Sequence, residues 1–272
     1  MSLKNKTIII TGASRGIGRS IALKSAKEGA NVVLAAKSIE EGKLPGTIHS
    51  VAKEVEELGG KALPIQVDVR HEEQVSNMVD KAVAEFGQIN ALINNAGAIN
   101  LTPLSTTPPK RMDLMLEINL RAVLLCSHFC IPKLKEAGGG HIINMSPPIS
   151  LDPKWYGNHV TYTISKFGMS MATIGLAQEL KEDKISVNSL WPKTIIATAA
   201  IKWLMGDDGM KNSRTPEIMA DAAHQILTSD AEFTGNTLID ETLLKDRGVT
   251  DFKIYQNDKD AIMNMDLFVE AG

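Results

Sequence analysis

The chain has 272 residues, a formal net charge of −3, 43% hydrophobic residues and 22% charged residues. This length suits one large α/β domain or two small ones, and the composition excludes a disordered chain. A slightly acidic balance does not suit a nucleic-acid-binding protein, which needs a basic excess or a clustered basic face. No apolar run approaches the roughly 20 residues of a membrane helix, so we expect no membrane span.

The termini and the two cysteines indicate the compartment. The first residues carry no signal-peptide pattern, and the last ones match no address signal. Cys126 and Cys130 lie four apart in an apolar helical stretch with no further Cys or His nearby, whereas zinc prefers four ligands. We therefore expect buried, reduced cysteines, no metal site and a cytoplasmic protein.

The stretch from Thr7 to Gly18 combines a strand with a glycine turn. Residues 7–10 are apolar or β-branched without interruption, as in a strand that is buried on both faces of a parallel sheet. Gly12, Gly16 and Gly18 follow, and then a helical pattern begins. This geometry directs backbone N–H groups and a positive helix end at a phosphate. The spacing fits neither G-x-G-x-x-G nor a P-loop, and by itself the turn is also compatible with a tight connection.

Strands and helices alternate six times in the first 190 residues, which predicts βαβ units and a parallel sheet. The fold class is thus α/β, a doubly wound Rossmann-type sheet with helices on both faces. Strands are predicted at 7–10, 31–36, 62–67, 91–93, 141–146, 185–190 and 237–239. Helices are predicted near 17–26, 48–58, 75–86, 110–136, 160–181, 197–205 and 216–227, with a glycine-containing loop at 206–209. We expect one domain over residues 1–272, whose tail from about 247 cannot be placed.

Polar or glycine-rich residues follow six of these strands. Ligands bind beyond the carboxyl ends of the strands in such sheets, so the sequence predicts a site where these ends meet. The residues concerned are Gly12–Gly18, Lys37, Asp68, Asn94–Gly97, Ser146 and Pro192–Thr194.

Four motifs resemble those of the short-chain dehydrogenase/reductase family, in its order and spacing, over about residues 6–240. They are Thr11-Gly12-x3-Gly16-Ile17-Gly18, Asn94-Asn95-Ala96-Gly97, Asn119 and Tyr162-x3-Lys166. More narrowly, Ser146-Pro147-Pro148 and Trp191–Thr194 are similar to the hydroxysteroid dehydrogenase-like protein 2 group. A sterol-carrier-like domain can follow in that group, and we expect none here.

The resemblance implies a seven-stranded, mostly parallel sheet in the order 3-2-1-4-5-6-7 and a nicotinamide cofactor. It also implies a small-molecule alcohol or carbonyl substrate and a homodimer or homotetramer formed through the two long helices, 110–136 and 160–181. The cofactor-binding residues that it implies are Gly12, Ser14, Arg15, Gly16, Ile17, Gly18, Lys37, Asp68, Val69, Asn95, Ala96, Gly97, Tyr162, Lys166, Pro192 and Thr194.

Charge favours NADP(H) over NAD(H). Ala36 stands where an acid would accept hydrogen bonds from the ribose of NAD. Arg15 in the turn and Lys37 after the second strand place two cations where a 2′-phosphate would lie, although both could be ordinary solvated charges. Asp68 would face the adenine, or it could cap the next helix.

The catalytic residues implied by the resemblance are Tyr162, Lys166, Asn119 and Ser146. Tyr162 would be the general acid/base, and Lys166, one helical turn later, would favour its phenolate and hold the nicotinamide ribose. Alone, this pair would be an ordinary amphipathic helix pair. Asn119 would continue a proton relay through water.

Two positions depart from the family pattern. Pro147 stands where a second serine usually hydrogen-bonds the substrate oxygen, and proline has no donor. Ser146 could take over this role, or Ser150, or no serine does; losing such a donor costs on the order of a hundredfold in rate. Lys193 replaces a glycine and could bind a cofactor phosphate, bind an acidic substrate or reach solvent.

The sequence thus predicts an NADP(H)-dependent oxidoreductase that interconverts a hydroxyl and a carbonyl on a small, lipophilic substrate. Its pocket would be walled by the loop after the fifth strand and by residues 197–212, with apolar side chains from Trp155, Ile195, Ile201, Trp203 and Leu204. The alternative is a cofactor-binding protein whose catalysis is impaired by Pro147.

Overall fold

The computed structural model describes residues 2–42 and 45–270. Its centre is a seven-stranded sheet in the order β3-β2-β1-β4-β5-β6-β7, in which neighbouring strands run parallel. The strands are β1 Thr7–Thr11, β2 Asn31–Ala36, β3 Lys61–Gln66, β4 Ala91–Asn94, β5 Gly140–Asn144, β6 Ile185–Trp191 and β7 Thr237–Ile239. The predicted fold class and strand order are confirmed.

Helices cover both faces of the sheet. They are α1 Gly16–Lys27, α2 Ile48–Glu57, α3 Glu72–Phe86, α4 Pro109–Met115, α5 Ala122–Glu136, α6 Val160–Glu179, α7 Ala199–Lys211, α8 Glu217–Leu227 and α9 Asp240–Asp246. One hydrophobic cluster joins the sheet to α1, α2, α8 and α9, and a second joins it to α3, α5 and α6.

The apolar run in β1 follows from this double cover. Ile8 and Ile10 belong to the first cluster and Ile9 to the second, because successive side chains of a strand point to opposite faces. All three are fully buried. With β2 on one side and β4 on the other, β1 lies inside the sheet, and its carboxyl end is surrounded by other strand ends.

Several predicted boundaries are wrong in detail. The long helix predicted at 110–136 is continuous over Pro109–Glu136, and within it α4 and α5 flank a π-helical turn at Leu116–Arg121, which was not predicted. Helix α7 continues through the predicted loop at 206–209 to Lys211, with a kink at Gly206, where φ is 66°. The fifth strand ends at Asn144 instead of Ser146. Cys126 and Cys130 are free and buried, as expected.

The stretch Pro109–Glu136 corrects the expectation about apolar runs. By length and composition it could cross a membrane, with a mean hydropathy of 1.6 in its most apolar window, 39% of which is buried in the protein. A core helix of a soluble protein passes the same test, so the finding is weak evidence for a membrane span.

The tail that the sequence left unplaced lies against the carboxyl end of β6. Ile195 N donates to Asn264 O (3.0 Å), and Asp266 N donates to Lys193 O (3.0 Å). Between these bonds, Thr194 and Met265 form an antiparallel bridge. Phe268 is buried with a left-handed φ of 69°, which is uncommon for a bulky residue. Its ring lies 5.0–6.1 Å from the rings of Phe167, Trp191 and Tyr162.

Candidate active site

A cavity of about 720 Å³ opens at the carboxyl edge of the sheet. Residues after β1, β4, β5 and β6 line it, together with α6, α7 and the tail. Lys37 after β2 and Asp68 after β3 line a separate depression next to His71 and Gln74. The strand ends therefore converge as predicted from the sequence, but four of the six contribute to the main cavity.

The glycine turn is held by the loop after β4. Asn95 Nδ2 donates to the carbonyls of Thr11 (2.9 Å) and Gly12 (3.1 Å), and the N–H groups of Asn95 and Ala96 both donate to Thr11 Oγ1 at 3.0 Å. A Cβ at Gly12 would lie 2.9 Å from Ala96 Cα, and one at Gly18 would lie 2.6 Å from Asn95 Nδ2. These two glycines are therefore required by the close packing of the loop on the turn.

The first turn of α1 is suited to an anionic group. The helix begins at Gly16, with Arg15 as N-cap, no side-chain capping hydrogen bond and no acidic residue in its first turn. Its first N–H groups have no acceptor within the helix, and its N-terminal end is positive. Ser14 is buried in the turn, and Ile17 lines the cavity.

The two predicted phosphate-binding cations contact protein groups. Arg15 donates from Nε to Pro45 O (2.9 Å) and from Nη2 to Gly46 O (2.6 Å). Lys37 is exposed, and its Nζ lies 3.1 Å from Asp68 Oδ2. These contacts are compatible with a phosphate-binding role and with ordinary surface charges.

Asp68 is held mainly by Arg70, a residue that the sequence analysis did not consider. The Arg70 guanidinium contacts both carboxylate oxygens, with Nε at 3.0 Å from Oδ1 and Nη2 at 2.6 Å from Oδ2. This hydrogen bonding holds the pKa of Asp68 well below its usual range. The N-cap of α3 is His71, so the carboxylate of Asp68 does not cap that helix. Val69 is buried in the second hydrophobic cluster.

Asn119 is fully buried in the π-helical turn. Its Oδ1 accepts from Ala98 N (2.8 Å), and its Nδ2 donates to Ala98 O and to Ser165 Oγ, both at 2.9 Å. The side chain thus fixes the loop after Gly97 against α6. Asn is a poor helix former, and this bonding compensates for its place within a helix.

Tyr162 and Lys166 line the cavity together from α6. Lys166 Nζ donates to Met145 O (2.8 Å) and lies 5.2 Å from the centroid of the Trp191 ring. Burial lowers the pKa of Lys166 to about 8. Burial also raises the pKa of Tyr162 well above its ordinary value, and the negative charge of Asp266 adds to this effect. Without cofactor, the Tyr162 phenol therefore holds its proton at neutral pH.

Neither of the two candidate serines lines the cavity. Ser146 is fully buried, and its hydroxyl has no hydrogen-bond partner among the described residues. Ser150 accepts from Asp152 N (3.2 Å) through its hydroxyl. Pro147 O accepts from Ser170 Oγ at 2.5 Å, which fixes the chain where the usual serine would stand. The structure favours the possibility that no serine faces the substrate.

Some residues of the segment after β6 line the cavity, and others lie in the protein interior. Pro192 lines the cavity, and the hydroxyl of Thr194 is buried without a partner among residues 2–42 and 45–270. That free hydroxyl, with the uncapped start of α1, fits a bound dinucleotide that supplies hydrogen-bonding groups. Lys193 donates from Nζ to Glu241 Oε1 (2.9 Å), so it forms an ion pair with protein instead of contacting a phosphate or a substrate.

The apolar wall of the cavity is largely as predicted, because Trp155, Ile195, Ile201 and Leu204 line it. Trp203 is 76% exposed and does not line the cavity. The sequence did not predict that the tail lines the cavity, where Met265, Asp266, Leu267 and Val269 form one wall. The family motifs end before this segment, so no signal in the sequence placed it. Within the described ranges, no group of three potential metal-ligating side chains is found.

These features define a Rossmann-type dinucleotide-binding α/β protein with a Tyr–Lys pair at its cofactor edge. The sequence model of the short chain dehydrogenase family matches residues 6–205, and the chain belongs to this family. Members of it bind nicotinamide cofactors, and membership supports an oxidoreductase.

The relatives agree with this assignment. Hydroxysteroid dehydrogenase-like protein 2 of Xenopus tropicalis is 55% identical over 250 residues, covering 92% of this chain and 60% of the relative. The chain therefore spans about 60% of the length of that relative. The crystal structure of a putative dehydrogenase from Xanthomonas campestris is 48% identical, with a TM-score of 0.96 over 99% of this chain and 100% of that one. The resemblance predicted from the motifs is confirmed.

A more distant structure includes a cofactor. It is a metagenomic short-chain oxidoreductase in complex with NADP, 28% identical, with a TM-score of 0.73 over 88% of this chain and 98% of that one.

The buried cation of Lys166 gives a prediction about stability. Because the pKa of Lys166 is depressed from 10.5 to about 8, its charged form costs on the order of 3 kcal/mol below pH 8 in the cofactor-free protein. This cost shrinks as the pH rises from 8 toward 10.5, where the folded protein has already released the proton. We expect Lys166→Met to raise the melting temperature by several degrees at pH 7 and by less at pH 10.

The measurement is thermal unfolding by circular dichroism at both pH values. The matched control is Lys81→Met, at an exposed lysine of α3, which should change the melting temperature little at either pH. A lower melting temperature for Lys166→Met at pH 7 would mean that Met145 O and the Trp191 ring more than compensate the buried charge.

Proposed function

We propose that the protein is an NADP(H)-dependent oxidoreductase that interconverts a hydroxyl and a carbonyl on a small, lipophilic substrate. The observation that carries this proposal is that Tyr162 and Lys166 share one cavity with Ile17 of the glycine turn. A proton donor, a cation and a phosphate-binding turn are the groups that such a reaction requires.

When bound, a nicotinamide cofactor would supply hydride chemistry for a carbonyl carbon, in either direction. Tyr162 holds a proton at its phenol oxygen and gives it to the substrate oxygen during reduction. Lys166 stabilises the resulting phenolate by its positive charge. Residues of the turn Gly12–Gly18, together with Asn95, Pro192 and Thr194, would hold the cofactor.

The proposal of a lipophilic substrate rests on the walls of the cavity. Its lining is mostly aliphatic or aromatic, and a pocket of this kind binds apolar ligands, with a few polar groups fixing their orientation. The apolar lining includes Ile99, Leu101, Trp155, Ile201, Leu204 and Met205.

The preference for NADP(H) rests on charge. Ala36 at the end of β2 cannot accept the ribose hydrogen bonds that an acid would accept, and Lys37 follows it. Arg15 already donates to two backbone carbonyls of the loop at Pro45 and Gly46. A 2′-phosphate would offer these cations a charged acceptor, which makes stronger hydrogen bonds than a neutral carbonyl.

A cofactor-binding protein with impaired catalysis is the second candidate, and Pro147 is the observation in its favour. Retention of Tyr162, Lys166 and Asn119 supports the enzyme instead, because a pure binding protein does not need this set.

The proton-transfer role of Tyr162 is tested by NADPH oxidation with a panel of aliphatic, aromatic and steroid carbonyl compounds. We expect turnover by the wild type and a loss of at least a hundredfold in kcat for Tyr162→Phe, as general acid catalysis contributes roughly 10²–10⁴-fold. NADPH binding by Tyr162→Phe, followed by fluorescence, should stay close to that of the wild type. The matched control is Tyr156→Phe, which lies outside the lining of the cavity. NADPH binding without turnover of any compound by the wild type would favour the binding protein.

The cofactor preference is tested with Lys37→Met. Removing one charge-assisted hydrogen bond to the 2′-phosphate should weaken NADPH binding by about tenfold, whereas NADH binding should not change. Lys81→Met again serves as the control for the loss of a surface cation. Equal affinity of the wild type for NADPH and NADH would contradict the proposed preference.

We also propose a homodimer or homotetramer formed through the two long helical segments. Large apolar side chains of these helices are 36–59% exposed, namely Leu116, Leu124, Ile164, Met171 and Ile174. Light scattering should give at least a dimer for the wild type and a smaller species for Met171→Asp. Ile262→Asp, at an 86% exposed position of the tail, should leave the mass unchanged. A monomeric wild type would refute this part of the proposal.

Two further expectations from the sequence stay proposals. Residues 1–272 would form one dinucleotide-binding domain, and the protein would be cytoplasmic. Free, buried cysteines support the second, since disulfides are rare in that compartment.

A further inference from the structure

The tail places a carboxyl group in the cavity that the family motifs do not include. We propose that Asp266 is a catalytic residue, which in its protonated form donates to the substrate oxygen the hydrogen bond that Pro147 cannot donate. This inference rests on the proposed function, because it assigns a third polar group to the same reaction.

The position of Asp266 is fixed by a strap that we define as residues 263–269. The backbone of the strap is bonded to the end of β6 on both sides of Asp266, through Asp266 N to Lys193 O (3.0 Å) and Trp191 Nε1 to Leu267 O (2.8 Å). Phe268 then inserts into the aromatic cluster and stacks on Tyr162, with the ring planes 23° apart. The strap is thus built into the wall of the cavity that Tyr162 and Lys166 also line, and Asp266 lies near enough to both for its charge to raise their pKa values.

The carboxyl group of Asp266 can form a further hydrogen bond to a ligand. Within the described part of the chain, its side chain accepts one hydrogen bond, from Leu267 N to Oδ1 at 2.7 Å. Three ionisable side chains appear among the described residues that line the cavity, and they are Tyr162, Lys166 and Asp266. Asn95 also lines it, but its amide nitrogen is bonded to the glycine turn. In its protonated form, Asp266 can therefore supply a second hydrogen bond in the cavity that Tyr162 lines.

The surroundings favour the neutral acid. Burial raises the pKa of Asp266 to about 7, the charge of Asp240 adds to this, and the cation of Lys166 opposes it. The groups that face Asp266 are Tyr162 and Lys166 on α6, Asp240 at the start of α9, and the segment of Lys193, whose ammonium pairs with Glu241. A carboxylic acid that stays neutral in an apolar site can serve as an oxyanion-type donor.

The assigned step balances without a further reactant. During reduction the carbonyl carbon receives the hydride, and the substrate oxygen takes the proton of Tyr162. Asp266 keeps its own proton and stabilises the negative charge that develops on that oxygen. Once Asp266 is deprotonated it repels this charge, so reduction should slow as the pH rises.

The test compares Asp266→Asn, which keeps a donor but cannot ionise, with Asp266→Leu, which has none. We expect kcat/KM of the wild type for carbonyl reduction to fall tenfold per pH unit above an apparent pKa near 7. Asp266→Asn should abolish this dependence between pH 6 and 7.5, below the pKa of about 8 of Lys166, while keeping activity at pH 6 within about tenfold. Asp266→Leu should lose on the order of a hundredfold at pH 6, with NADPH binding unchanged. Glu270→Gln, at the exposed carboxylate that pairs with Lys154, should behave as wild type.

Asp240 and Lys166 also titrate near this range, since burial raises the pKa of Asp240 to about 6 and lowers that of Lys166 to about 8. Asp266→Asn removes the titration of Asp266 alone, so a loss of the pH dependence in this variant assigns it to Asp266 and not to the other two groups. If Asp266→Leu does not fold, the comparison of Asp266→Asn with the wild type still decides whether Asp266 causes the pH dependence of kcat/KM. Wild-type activity and an unchanged pH profile in both variants would overturn the role of Asp266 and leave the oxidoreductase function standing.

A measurement without turnover separates the two proposals. Hexanamide offers a carbonyl oxygen on an apolar chain, and its binding to the NADPH complex can be followed by fluorescence. We expect tighter binding at pH 6 than at pH 8.5 for the wild type, no pH dependence for Asp266→Asn and weaker binding for Asp266→Leu. Equal binding by the wild type and Asp266→Leu, or none by the wild type at either pH, contradicts the inference. Absence of carbonyl reduction by the wild type would instead refute the proposed function.

Discussion

The hydrogen bonds between Asn95 and the end of β1 are the interaction on which the site depends. They press the loop after β4 onto the turn so closely that positions 12 and 18 accept only glycine. The same loop continues to Ala98, which Asn119 binds through both its N–H and its carbonyl. Asn119 also binds Ser165 on α6, the helix that carries the Tyr–Lys pair. The loop after β4 and these hydrogen bonds therefore link the glycine turn to the helix that carries Tyr162 and Lys166.

Local patterns in the sequence were sufficient for the sheet and for most of the cavity. The apolar run of β1 needs cover on both faces, and Tyr162 and Lys166 share a helix face because four residues make about one turn. Neither conclusion requires knowledge of distant contacts. The predictions that failed depend on such contacts. Arg70 binds the carboxylate of Asp68. The strap is bonded to β6 through backbone groups, which nearly every residue carries, so its sequence does not indicate this contact.

Lys193 shows how one unexpected residue changes the charge distribution. Its ammonium binds Glu241, which also contacts Arg214 and Lys245. Although burial opposes ionisation, the hydrogen bonds of Lys245, Lys193 and Arg214 hold the pKa of Glu241 at about 2. The backbone of Lys193 meanwhile accepts from Asp266 N. The ionic cluster therefore anchors the end of β6 between α9 and the strap, and its three cations share one carboxylate, that of Glu241.

The insertion of Phe268 has a consequence for the order in which the molecule is made. The glycine turn is synthesised first, yet part of the cavity wall consists of Met265, Asp266, Leu267 and Val269. During translation the sheet can assemble while the aromatic cluster still lacks its central ring. The cavity closes only after residue 269 has left the ribosome and Phe268 has adopted its left-handed backbone. A nascent chain paused before that point would expose Tyr162 to water, so the cavity would be complete only after residues 265–269 have been made.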